Sequence, residues 1–137
     1  MGTPAENKAL VARFIEGLNT GDVAVAAACF DTERYYSNAH RADLAGTWEA
    51  MKARRKNPPW SDFSSETVAL VADGDRVMRH SRATATHTGE FLGIAPTGRR
   101  ITWDHIELWR IENDKIVEHW GGDFEMERIV RELTEAR

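Results

Sequence analysis

The stretch from Ile101 to Ile111 holds the residues best suited to chemistry. Extended backbone sends successive side chains to opposite faces, so Ile101, Trp103, His105, Glu107, Trp109 and Ile111 share one face, and Thr102, Asp104, Ile106, Leu108 and Arg110 share the other. The first face is apolar except in its middle, where an imidazole and a carboxylate stand between two indoles. Such groups are costly to bury unless they bond each other, water or a ligand. Together they are the parts of an acid–base site: a base with a raised pKa and a donor for an enolate oxygen, as needed to abstract a proton next to a carbonyl. The opposing assignment puts Ile106 and Leu108 in the core, leaves His105 and Glu107 solvated and uses the tryptophans in a subunit contact. Ionisable groups in apolar surroundings concentrate at functional sites, which favours the inward assignment.

What faces this pair from the next strand depends on one turn. A two-residue turn at Asn113-Asp114 brings Glu118 and Trp120 to the His105/Glu107 face, whereas a three-residue turn with Asp114 left-handed brings Val117, His119 and Gly121 there. Spacing leaves both open. Among the five histidines no pair has the spacing of a helical zinc motif. His105, Glu107 and His119 have the composition of a two-His-one-carboxylate set, but nothing fixes a facial geometry, so no metal is expected. Ser81 lacks a nucleophile elbow, and no glycine-rich phosphate loop precedes a helix. His87 ends a strand on the parity of Arg79, Ser81, Ala83 and Ala85, where it either meets substrate or orders the following loop. Tyr36, Asn38 and His40 fall near the expected pocket mouth, with an ordinary turn role open to Asn38. Trp60 and Phe63 form a lid or cover the core, and Lys52, Arg54, Arg55 and Lys56 read as a solvated helix end that suits the helix dipole.

These residues need a frame. Thr3-Pro4-Ala5-Glu6 combines a capping-box pair with proline at the first helical position, and Leu10, Val11, Phe14, Ile15 and Leu18 form one apolar stripe. Asn19-Thr20-Gly21-Asp22 stops that helix, and Val23 to Phe30 reads as a second. Tyr35 to Ser37 suggests a short strand, and composition predicts a third helix over Thr47 to Arg55, stopped by Asn57-Pro58-Pro59. Strands follow: Thr67 to Val71, a hairpin signal at Asp73-Gly74, Arg76 to His87, Arg100 to Glu112, and Lys115 to Gly121. Phe124 to Arg137 reads as a closing helix with Met126, Ile129, Val130 and Leu133 inward. Helices first and an antiparallel meander second predict an α+β domain, with a curved sheet wrapped around the N-terminal helices and a cavity between them.

Composition is consistent with this. The chain has 137 residues, 42% hydrophobic and 29% charged, as expected for a single domain over residues 1–137. Its formal net charge of −4 gives no electrostatic footprint for nucleic acid or an anionic membrane, so a small molecule is the expected partner. A single cysteine, Cys29, allows no internal disulfide, and neither a leader nor an 18-residue apolar run is seen, so a cytoplasmic location is expected. Met78, Ile106 and Leu108, among Arg82, Thr84 and Thr86 on the opposite face of the long strands, predict a homodimer or homotetramer.

The block Thr86-His87-Thr88-Gly89-Glu90-Phe91-Leu92-Gly93-Ile94-Ala95-Pro96-Thr97-Gly98-Arg99-Arg100, followed by Leu108-Trp109-Arg110-Ile111 and Lys115-Ile116-Val117-Glu118-His119-Trp120, resembles the SnoaL-like polyketide cyclase family. That family belongs to the nuclear-transport-factor-2-like and ketosteroid-isomerase-like superfamily. The resemblance covers essentially the whole chain, including Asn19-Thr20-Gly21-Asp22. It implies a cone-shaped α+β barrel with an internal pocket, no cofactor, and acid–base catalysis of an intramolecular aldol cyclisation, with hydroxylase-like and hydrolytic members as alternatives. It favours the register with His119 inward, and it implies polar substrate-binding residues at His105 and Glu107. The family's acid–base aspartate matches Gly121 here. That departure leaves the carboxylate to Glu107 from across the pocket or to Asp123, two residues on. The expected catalytic residues are therefore His105, Glu107 and His119, and the expected substrate-binding residues Tyr36, Asn38, His87, Trp103, Trp109 and Asp123. The expected substrate is a hydrophobic or aromatic carbonyl compound. A non-catalytic binding module is the alternative, since fold alone does not choose; a planar ligand stacked between Trp103 and Trp109 would favour the enzyme.

Overall fold

A computed structural model describes residues 2–122 and 125–136. The elements run α1 (Pro4–Thr20), α2 (Val23–Ala28), β1 (Tyr36–Ser37), β2 (Ala42–Asp43), α3 (Leu44–Lys56), β3 (Trp60–Asp73), β4 (Arg76–His87), β5 (Arg100–Glu112), β6 (Lys115–Gly122) and α4 (Met126–Thr134). The first helix starts where the capping residues put it: Thr3 Oγ1 accepts the Glu6 amide at 3.1 Å, and Gly21 at φ 75° closes the other end. The second helix stops at Ala28, short of the predicted Phe30, because the chain turns into a parallel bridge between Phe30 and Ile116. The third begins three residues before the predicted Thr47, because Asp43 caps it by accepting the Gly46 amide at 2.9 Å.

The sheet has six strands in the order β2-β1-β6-β5-β4-β3, and it curves without closing, so β2 and β3 remain edges. The predicted four-strand meander is present, extended by the small β1/β2 hairpin, with β1 parallel to β6. Sequence reading predicted only Thr67 to Val71 of β3, which runs from Trp60 to Asp73 with two register shifts. It is mostly exposed as an edge strand, and so it lacks the apolar alternation that marks a half-buried one.

One irregularity decides what faces the site. Asn113 and Asp114 have φ of 49° and 59°, and Glu112 pairs with Lys115, so the β5–β6 turn has two residues with both in the left-handed region. That turn alone would place Glu118 and Trp120 inward. The register then shifts: Ile111 pairs with Ile116, but Arg110 pairs with Glu118, leaving Val117 as an extra residue. This β-bulge switches the parity of the rest of β6 and brings His119 opposite Trp109 and Gly121 opposite Glu107. The inward register is thus the one the resemblance implies, reached by a bulge and not by the three-residue turn.

The core is divided. One cluster holds Leu10, Val11 and Phe14 of α1 with Val77, Trp109, Ile111 and Ile116 of the sheet. The other holds Ile129 and Leu133 of α4 with Ala83, Ala85, Ile101 and Trp103. Between them, on the same face, β4 places Arg79 and Ser81 opposite Glu107 and His105 of β5. The helices seal the two ends of the concave face and leave its polar middle uncovered by apolar side chains.

Candidate functional site

Glu107 is the centre of that middle region. His105 Nε2 and His119 Nε2 stand 3.5 and 3.4 Å from the same carboxylate oxygen, Oε1, and Arg79 Nη1 stands 3.9 Å from Oε2. These contacts are longer than tight hydrogen bonds. His119 is held on its other sides as well. Its ring stacks on Trp109 at 5.7 Å and 30°, and Ser37 Oγ lies 3.2 Å from its Nδ1. Arg79 is 8% exposed and anchored by its Nε donating to Thr67 Oγ1 at 2.9 Å.

The electrostatics correct one expectation. Burial does push the Glu107 carboxyl up, but the hydrogen-bonding and charge of His105 and His119 outweigh it and bring the pKa down from 4.5 to about 2. Glu107 is therefore an ionised counter-charge for two imidazoles, not the raised-pKa base that its apolar flanks suggested. Burial lowers the Arg79 pKa, offset in part by Glu107, and burial raises that of the nearby Tyr35 phenol, offset in part by the hydroxyls of Ser37 and Thr47. Among the described residues no group of three His, Cys, Asp or Glu side chains has the arrangement of a metal site.

Gly121 explains how the carboxylate and the imidazole come together. A Cβ there would meet Glu107 Cγ at 3.2 Å and His119 Nε2 at 3.2 Å, closer than atoms of ordinary van der Waals contact. The space that a side chain at 121 would fill is thus used by Glu107 and His119 in this chain.

The other expected residues divide. Trp103 and Trp109 face inward, each in a different core cluster. They lie six residues apart, about 20 Å along the strand, so no planar ligand can stack between them. Trp109 is a wall against Phe14 and His119. Trp103 instead lines a cavity of about 230 Å³ with Trp60, Phe63, Phe91 and Ile129, whose rim carries Arg54 and Arg55 of α3. Trp103 and His105 are two residues apart on one face, about 7 Å, and neither His105 nor Glu107 lines this cavity. A second cavity, about 270 Å³, lies by Asn7, Gly74 and Asn113 at the hairpin-turn end of the sheet, away from these groups.

His87 is fully buried and orders the loop that follows: Nδ1 accepts the Thr97 amide at 3.1 Å and lies 3.0 Å from its hydroxyl. Tyr36 is 43% exposed and paired with Glu118 on the outer face, so it does not join the site. Asn38 is a turn residue, its amide N–H donating to the His119 carbonyl at 2.7 Å. Asp123 lies outside the described residues. Sequence reading missed Ser37 and Arg79 as members of the site. Arg79 was on the inward parity and could have been noticed, but Ser37 has no signal apart from the parallel pairing of β1 with β6.

Comparison with known proteins supplies the family. The sequence profile of SnoaL-like polyketide cyclases matches residues 8–123. The chain belongs to the SnoaL-like polyketide cyclase family. AclR from Streptomyces galilaeus, provisionally assigned as a hydroxylase, is 28% identical, with a TM-score of 0.76 over 98% of this chain and 89% of AclR. A provisionally assigned SnoaL-like polyketide cyclase from Jannaschia sp. CCS1 is 18% identical, with a TM-score of 0.77 over 100% of this chain and 99% of its own. IdmH from Streptomyces antibioticus, provisionally assigned as a polyketide cyclase, is 22% identical, with a TM-score of 0.71 over 91% of this chain and 96% of IdmH. No curated protein matches the sequence. This SnoaL-like chain shares the fold of the last two. Among its described residues, no helix is long and apolar enough to cross a membrane.

Proposed function

We propose that this SnoaL-like protein is a cofactor-independent acid–base enzyme of the cyclase or isomerase type. Its substrate would be a planar, hydrophobic or aromatic carbonyl compound. The observation that carries the reading is the half-buried Glu107 carboxylate with two imidazoles on one oxygen. A fixed negative charge favours a positive imidazole beside it, so a proton taken from carbon has a stabilised resting place, and the same imidazolium can return it. Arg79, behind Glu107, keeps the local charge balanced. The aromatic cavity next to Trp103 suits a flat apolar substrate, and Arg54 and Arg55 on its rim suit an acidic or enolic end.

The test is exchange of the α-protons of 2-tetralone in D₂O, followed by NMR with and without the protein. Exchange accelerated above the solvent rate supports the reading. A protein that binds 2-tetralone without accelerating exchange is a binding module instead. Hydroxylation is the second reading, favoured by the 28% identity to AclR; its signature would be an oxygenated product with no exchange of the recovered ketone.

A further inference from the structure

The contacts around Glu107 continue past His119. Parallel pairing sets Ser37 of β1 beside His119 of β6, and the loop after Ser37 brings the His40 ring back over the same hydroxyl. Ser37 Oγ lies 3.2 Å from His119 Nδ1 and 3.1 Å from His40 Nδ1, and it accepts the His40 backbone N–H at 3.1 Å. The two imidazoles lie nearly parallel, 6.4 Å apart at 26°. Ser37 is 0% exposed, so its single proton and two lone pairs must be matched within the protein.

With the Tyr35 phenol also beside this hydroxyl, the two imidazoles can be matched to it in two ways. Facing a carboxylate, His119 Nε2 must carry a proton. When His119 is neutral, its Nδ1 is therefore a lone pair and takes the Ser37 proton; Ser37 Oγ then accepts from the His40 amide and from His40 Nδ1–H. His40 is left with a bare Nε2, which takes no hydrogen bond among the described residues. When His119 is an imidazolium, the two ring bonds reverse while the His40 amide still donates to Ser37: His119 Nδ1–H donates to Ser37, Ser37 donates to His40 Nδ1, and the His40 proton is on Nε2.

We propose that His40, Ser37, His119 and Glu107 form one proton relay, in which a proton taken up at His40 Nε2 comes to rest as charge on His119 against the Glu107 carboxylate. The protons balance. One arrives at His40 Nε2 from a substrate carbon or water, His40 Nδ1–H passes to Ser37 Oγ, and Ser37 Oγ–H passes to His119 Nδ1. His40 is neutral before and after, changing only its tautomer. The groups around it favour this. Burial, His119 from β6 and Arg54 from α3 all oppose charge on His40, and only Glu107 from β5 supports it. Arg54 also lines the aromatic cavity, so one α3 side chain belongs both to that cavity and to the charges acting on His40. The inference rests on the acid–base reading above and extends it by a positioning residue, Ser37, and a terminal one, His40.

The test needs no substrate. The full chain, labelled with ¹⁵N-histidine, is titrated from pH 8 to 5 and followed by long-range ¹H–¹⁵N correlation, which reports the tautomer and charge of each ring. At pH 8 the relay requires His40 as the Nδ1–H tautomer and His119 as the Nε2–H tautomer. As His119 becomes an imidazolium, His40 must switch to Nε2–H with the same midpoint and without charging. In Ser37→Ala the His40 tautomer must stop following His119. The relay is overturned if wild-type His40 becomes doubly protonated while His119 stays neutral, or if its tautomer is unchanged through the His119 transition. The wild-type titration decides the matter even if the Ser37 variant does not fold. Failure of the acid–base reading would appear separately, as a lack of 2-tetralone exchange with the tautomer coupling intact.

Discussion

Glycine at position 121 and glutamate at position 107 are alternatives in space. The Cβ that Gly121 lacks would crowd both Glu107 and His119, so glycine at 121 leaves room for the carboxylate that the neighbouring strand supplies. Gly121→Ala should therefore move the carboxylate and imidazole apart by a few tenths of an ångström and raise the Glu107 pKa toward 4.5, readable as a shift of its carboxyl ¹³C titration midpoint. Glu107→Gln should leave the circular dichroism of the fold intact and lower α-proton exchange by ~10²–10⁴-fold, the usual scale of acid–base catalysis. Asp123→Asn is the comparison: a small effect at 107 with a large one at 123 would move the role to Asp123. At this scale alternation along β5 was enough to bring His105 and Glu107 to the inward face between Trp103 and Trp109. It misjudged the sign of the Glu107 shift, because a residue's own flanks report its desolvation while the compensating imidazole arrives from another strand.

At the scale of elements, the bulge at Val117 determines whether His119 belongs to the site. Parity arguments assume an unbroken ladder, and Val117, buried like its neighbour Ile116, gives no polar signal that a residue has been inserted. For the same reason the sequence left the register open and only the family resemblance favoured the inward histidine. Ser37 was illegible for a related cause, since a two-residue strand and a parallel partner 82 positions away leave no local pattern. Capping residues, by contrast, located α1 and α2 to within two residues, because Thr3 and Asp22 act on amides three positions on. Deleting Val117 should leave Glu118 opposite Arg110 and His119 opposite Trp109 in an unbroken ladder, so exchange activity should survive, while the loss of a buried side chain lowers thermal stability, as a melt would report. Asp114→Gly should do the reverse, raising stability by up to about 1 kcal/mol, because the left-handed φ of 59° costs a side chain more than it costs glycine.

For the whole molecule the outer face remains to be covered. Met78 and Ile106 are exposed on it, beside the cluster in which Asp104 binds His80 at 2.8 Å and Arg82 at 2.9 Å. We propose that this face joins copies of the chain; light scattering should then report a dimer or tetramer, and Ile106→Lys should shift the mass toward the monomer. Stability should depend on pH through Glu107. Its folded-state pKa lies below the unfolded one, so the stabilisation it contributes is complete above pH 4.5 and is withdrawn as pH falls toward 2. Glu107→Gln should lack that part of the acid sensitivity, while the exposed carboxylates contribute little in either protein. Everything proposed for the site rests on an ionised carboxylate between two imidazoles, and the ¹³C chemical shift of the Glu107 carboxyl, followed in the folded protein from pH 7 to 3, measures that directly. The account predicts a carboxyl still ionised at pH 3; a carboxyl that protonates at or above pH 4.5 would contradict it.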